Sequence, residues 1–105
     1  MTVRTFPLPA DFFGTATRAG EEAKVKRAIA AQDRGLEPCE ACGRGVAAGS
    51  GWVITITDGG CAVLHPDDDG PEAEADGGYM GSYVWGPECG RKVPAEFRTR
   101  WNGWS

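Results

Sequence analysis

The pair Cys39 and Cys42 in the stretch EPCEACGRG constrains this chain more than any other feature. Two thiols separated by two residues form half of a four-ligand metal site. Pro38 ahead of the pair and Gly43 and Gly45 behind it supply the tight turns of a knuckle. A redox dithiol would sit between a strand and a helix of a βαβ unit, whereas this pair follows a helical segment and precedes a Gly-rich loop. The chain also needs a staple. Of its 105 residues 16 are Gly and 7 are Pro, so much of it is turn, and a loop-rich domain of this size buries a modest core.

The flanking segments predict an α+β fold in four parts. Residues 1–16 read as an extended arm, with Pro7, Pro9 and Gly14 blocking regular structure. Residues 17–35 read as a helix closed by Gly35, with Val25, Ala28, Ile29 and Gln32 as a narrow docking stripe. Residues 36–98 form the stapled core. In it, Trp52 to Thr57 and Cys61 to His65 predict an antiparallel hairpin around the turn Asp58-Gly59-Gly60. Tyr79 to Trp85 adds a third strand. Gly86 as N-cap and Pro87 as first residue begin a short helix running to about Val93. The acidic stretch 66–78 reads as a solvated loop, and residues 99–105 as a Trp-rich tail.

Three further residues compete to complete the metal site: Cys61, His65 and Cys89. The linear pattern C-x2-C-x18-C-x3-H, ending at His65, resembles zinc spacings. Strand geometry opposes it, because residues four apart on a strand lie about 13 Å from each other. A zinc ion needs its ligands within about 2.0–2.3 Å, so at most one of Cys61 and His65 binds. Cys89 suits the role. At the third position of the predicted helix its thiolate would face free backbone N–H groups and the positive end of the dipole. Knuckle, hairpin, then a helix whose first turn donates a ligand is the order of a treble clef. With turn 58–60, His65 falls opposite Val53 at the base of the hairpin and Cys61 near its tip. The expected ligand set is therefore Cys39, Cys42, Cys89 and His65 around a structural zinc ion, with Cys61 as the alternative fourth ligand. A carboxylate or a water is a third option. Without a role, Cys61 would be a small apolar residue on a strand and His65 an exposed loop residue.

The segments CEACGRGV, VITITDGG and DGGYMGSYVWGPECGRKVP together resemble small treble-clef-like zinc-finger proteins encoded by phages of high-GC actinobacteria. Those carry a CxxCG knuckle, a GG-containing hairpin and a Gly-Tyr-Met-Gly segment leading into a VGPxCxRK helix. The resemblance covers about residues 39–94. It implies a fold and a source, and little about activity, since most such proteins are of unknown function.

Composition narrows the function classes. Net charge is −4, and residues 58–76 carry seven carboxylates with no Lys or Arg, so a broad nucleic-acid surface is not expected. The chain has one His and no GxSxG, HExxH or phosphate-cradling loop. No apolar run approaches ~20 residues and the start does not read as a signal peptide, so a cytoplasmic protein with reduced thiols is expected. Export would favour disulfides instead. The first reading is thus a non-enzymatic, zinc-stabilised module that binds a host or phage protein, with no membrane involvement. Its expected binding surfaces are Trp101 and Trp104 at one end and Phe12 and Phe13 at the other. The alternative use of these aromatics is to cover a thin core. A second reading is a nucleic-acid-associated zinc finger, with Arg91, Lys92, Arg98 and Arg100 on phosphates and Trp101 stacked on a base. A third is an open zinc site of Cys39, Cys42 and Cys89 with water as fourth ligand.

Overall fold

The β-branched run Gly51–Thr57 forms the central strand of a five-stranded antiparallel sheet, and three of the other four strands pair with it directly. In the computed structural model, which describes residues 3–103, the strands are β1 (Thr5–Pro7), β2 (Glu37–Pro38), β3 (Gly45–Val46), β4 (Gly51–Thr57), β5 (Ala62–Leu64), β6 (Gly81–Trp85) and β7 (Thr99–Trp101). The helices are α1 (Arg18–Asp33) and the single turns α2 (Pro71–Glu74) and α3 (Pro87–Gly90). The fold is α+β, as expected. The main sheet runs β1-β5-β4-β6, and β7 pairs with the half of β4 that β5 leaves free. Strands β2 and β3 make a separate two-residue ladder that frames the knuckle.

Alternation along β4 puts Ile54 and Ile56, each 1% exposed, into the core with Val63, Val84, Trp85, Phe97 and Trp101. Trp85 is wholly buried. Phe12 stacks on it at 5.3 Å between centroids, and Phe13 meets its edge at 5.8 Å. The arm is therefore bound to the sheet. β1 pairs with β5, and the Leu8 N–H donates to the Cys61 carbonyl at 2.8 Å.

Helix α1 begins on its N-cap Thr17, whose hydroxyl accepts from the Gly20 N–H, and ends where Gly35 takes φ +73°. Its docking face differs from the expected stripe. Val25 and Ile29 stay about half exposed, at 50% and 51%, while Ala31 is the buried residue. Small residues win because the knuckle comes so close. Gly43 (φ +83°) lies where an added Cβ would meet the Lys24 carbonyl at 2.6 Å, and one on Gly45 would meet Leu36 at 2.6 Å.

Two further details depart from the sequence reading. The hairpin turn takes one more residue than expected. Asp58, Gly59 and Gly60 all adopt left-handed φ, and the Cys61 N–H closes onto the Asp58 carbonyl. Pairing therefore begins at Ala62 opposite Thr57, and Cys61 stays in the turn, exposed. The acidic stretch is also more ordered than a bare loop. It forms a single turn at Pro66–Asp68 and then α2, anchored by Arg4 Nε on Asp68 at 3.0 Å and by the Tyr79 hydroxyl on Asp69 at 2.9 Å.

Candidate metal centre

The knuckle is brought to the sheet by backbone bonds. The Glu40 N–H donates to the Val84 carbonyl at 2.9 Å, fixing the CxxC loop against the end of β6. Inside the loop, the Gly43 N–H returns to the Cys39 carbonyl at 2.7 Å. Immediately after β6, Gly86 turns the chain into α3, and its N–H donates to Cys39 Sγ at 3.1 Å. These contacts set Cys89 beside the CxxC pair. The sulfurs of Cys39, Cys42 and Cys89 all lie within 4.8 Å of one another.

Burial grades the three thiols: Cys39 is 1% exposed, Cys89 9%, and Cys42 half-buried. Cys39 is drawn down to about 5. The largest cause is the hydrogen bond from the Cys89 thiol, followed, against burial, by N–H donors on Gly86, Cys42 and Ala41. Cys89 is pushed up by that same hydrogen bond, by burial and by the charge on Cys39. The expectation that the helix end would make Cys89 the acidic thiol is corrected. Helix α3 is a single turn, and its free Gly86 N–H points at Cys39.

The fit to a metal is good. Three sulfur donors from two chain segments 47 residues apart converge (Cys42 and Cys89), and the hydrogen bonds around Cys39 favour its thiolate, the metal-binding form. Such a set suits a thiophilic ion such as zinc. Together Cys39, Cys42 and Cys89 could hold a metal ion.

His65 does not join them. Strand order explains why: the knuckle docks on β6, whereas His65 follows β5 on the other side of β4. Two strand steps of ~4.8 Å separate them by about 10 Å. His65 is instead buried edge-on against Phe97 at 5.4 Å, and its Nδ1 accepts from the Asp67 N–H at 3.1 Å. Cys61, the alternative fourth ligand, sits in the hairpin turn outside the cluster.

The aromatic residues expected to bind a partner are used internally. Trp101 is 5% exposed and pairs opposite Gly51, because the tail becomes a sheet strand. Phe12 and Phe13 are half-buried on Trp85, and each has an ammonium over its ring, Lys92 at 5.7 Å and Lys24 at 5.2 Å. Trp104 lies outside the described residues. Two of the cations considered for phosphate contact, Arg98 and Arg100, stack on Trp52 at 4.4 and 4.1 Å, and Arg98 also donates to the Gly90 and Val93 carbonyls.

The sequence reading missed the basic rim of the thiol cluster. A cleft of about 520 Å³ opens over the three sulfurs, bordered by Arg27, Arg44 and Lys92 with Glu88 as its one carboxylate. Arg27 Nε also donates to the Cys42 carbonyl at 2.7 Å, tying α1 to the knuckle. The readable signal was Lys92, which stands three residues after Cys89, where a second helix ligand would complete a C-x-x-C.

Comparison of the chain with family models, with curated proteins and with solved structures found no match. No helix among the described residues is long and apolar enough to cross a membrane.

Proposed function

We propose that this chain is a non-enzymatic, zinc-stabilised interaction module, treble-clef-like in construction and phage-encoded, that binds a protein of the host or phage. The observation that carries the metal half is the convergence of Cys39, Cys42 and Cys89 within 4.8 Å where the knuckle meets the sheet. Bound there, zinc would tie the CxxC loop and α1 to the end of β6 and the start of α3. It would thereby supply cohesion that the small residues of that region do not.

Three protein donors also raise the open-site reading, in which zinc activates water. Thiolate-rich catalytic zinc sites exist, but three thiolates neutralise more of the ion's charge than a three-histidine or two-histidine-plus-glutamate set and so acidify a bound water less. The one His of the chain lies two strands away. The nucleic-acid reading loses support too. Trp101 is buried, and Arg98 and Arg100 are occupied on Trp52. A cytoplasmic location belongs to the same proposal, since reduced thiols are what a metal requires.

Metal stoichiometry by native mass spectrometry tests the reading. One zinc per chain is expected in the wild type, retained in Cys61→Ser and His65→Ala and lost in Cys39→Ser and Cys89→Ser. A metal-free wild type would end it.

A further inference from the structure

We propose that a metal ion held by Cys39, Cys42 and Cys89 takes its fourth donor from outside the chain, as the carboxylate of a ligand bound in the cationic cleft over the thiols. The proposal rests on the metal reading above and adds the class of molecule that the site accepts.

The first observation is the donor count. Among the described residues, no other His, Cys, Asp or Glu donor joins the three sulfurs within 4.8 Å. The set stops one short of the four that zinc takes. The second is access. Cys39 and Cys89 are 1% and 9% exposed, and the inner side of the cluster is closed by buried Gly86, whose N–H already donates to Cys39 Sγ. The side bordered by Arg27, Arg44 and Lys92 is open, so a fourth donor enters there.

The third observation is charge. A divalent ion, three thiolates, the three basic side chains and Glu88 leave the cleft with one surplus positive charge. Water would leave that surplus in place, whereas one monoanion neutralises it. A carboxylate meets both demands at once, with one oxygen for the ion and the other for a guanidinium fork. Lys92 makes the point at sequence level. Where a C-x-x-C helix would present its second thiol, this chain presents a cation.

Two sources share this chemistry: a free small carboxylate, and one carried by a larger body such as a protein side chain or chain end. Lys92 also borders an apolar groove formed by Phe6, Leu8, Pro9 and Phe12, which would add affinity for the second kind.

The test is an optical titration of the cobalt(II)-loaded full chain, using acetate and then N-acetylphenylalanine. Saturable shifts of the cobalt ligand-field bands are expected, with the thiolate-to-cobalt charge-transfer band retained. Affinity should fall about tenfold or more in Arg44→Glu and in Lys92→Glu, through reversed charge at the rim. Equal affinity for the two probes would support a free carboxylate, and tighter binding of N-acetylphenylalanine a carboxylate on an apolar body. Ligand-field bands unmoved by either probe would overturn the proposal while leaving the metal site standing. So would bands that change in Glu88→Gln before any probe is added, because Glu88 would then be the fourth donor. Absence of the charge-transfer band in the loaded wild type would overturn the metal reading and this proposal together.

Discussion

The two halves of this molecule are held together by different physics. The sheet half buries large apolar groups: Ile54, Ile56, Val63, Val84, Phe97 and Trp101 surround Trp85, and Phe12 caps it from the arm. The knuckle half adds only the small side chains of Cys39, Ala41 and Val46 to the margin of that same core, with Ala31 buried on α1, and it is framed by a two-residue ladder. Its close approaches are made by glycines, as where Gly43 lies on the Lys24 carbonyl. Small side chains let the backbones come together but remove little apolar area from water, and that area sets the driving force. The sheet is a core that folds on hydrophobic burial. The knuckle is a clasp with a place for an ion.

That contrast can be broken from either side. The largest effect should come from the metal, since structural zinc in small domains contributes on the order of 10 kcal/mol of apparent binding free energy. Chelation of the loaded protein should strip hydrogen-exchange protection from α1 and residues 37–46 first, while β4 and β6 keep theirs. Simultaneous loss across both halves would show that they are one cooperative unit. Next comes Trp85→Ala, expected to cost about 3–5 kcal/mol by cavity formation, and to lower the melting temperature whether or not metal is present. Gly90→Ala is smaller. A methyl there meets the Trp52 indole, on which Arg98 and Arg100 both stack, so about 1–3 kcal/mol of overpacking is expected in a denaturant titration. The weakest effect lies in the acidic stretch. Tyr79 is pushed up to about 12 from an ordinary 10.0, chiefly by burial and then by its hydrogen bond to Asp69. A raised value in the folded state means that its stabilisation is intact below pH 10 and is lost as pH rises toward 12. Phenolate absorbance should show this late component in the wild type and lose it in Tyr79→Phe.

Local signals were legible and long-range ones were not. Helix α1 ends within two residues of its sequence-based limit because Gly35 is a strong local stop, while its start, which Gly20 left open in the sequence, is set by the Thr17 cap. The β4–β5 hairpin follows from β-branched runs around Asp58-Gly59-Gly60, and Gly86-Pro87 marks the start of α3. The one-residue error in the turn arose because three successive left-handed residues draw Cys61 into it. No local pattern could show that the arm and tail add β1 and β7 to the sheet, and those pairings bury Trp101 and fix Phe12 and Phe13. The same limit explains His65. Its separation from the thiols depends on which side of β4 the knuckle docks, a choice made by the Glu40–Val84 and Gly86–Cys39 contacts. The Cys39, Cys42 and Cys89 group survived because its logic was chemical: a knuckle on one side and a helix start on the other.

X-ray absorption at the zinc edge of the loaded full chain tests the central claim most directly. The account predicts three sulfur scatterers and one oxygen, with no imidazole signature. A shell of four sulfurs, or an imidazole from His65, would contradict the three-thiol site and the cleft chemistry built upon it.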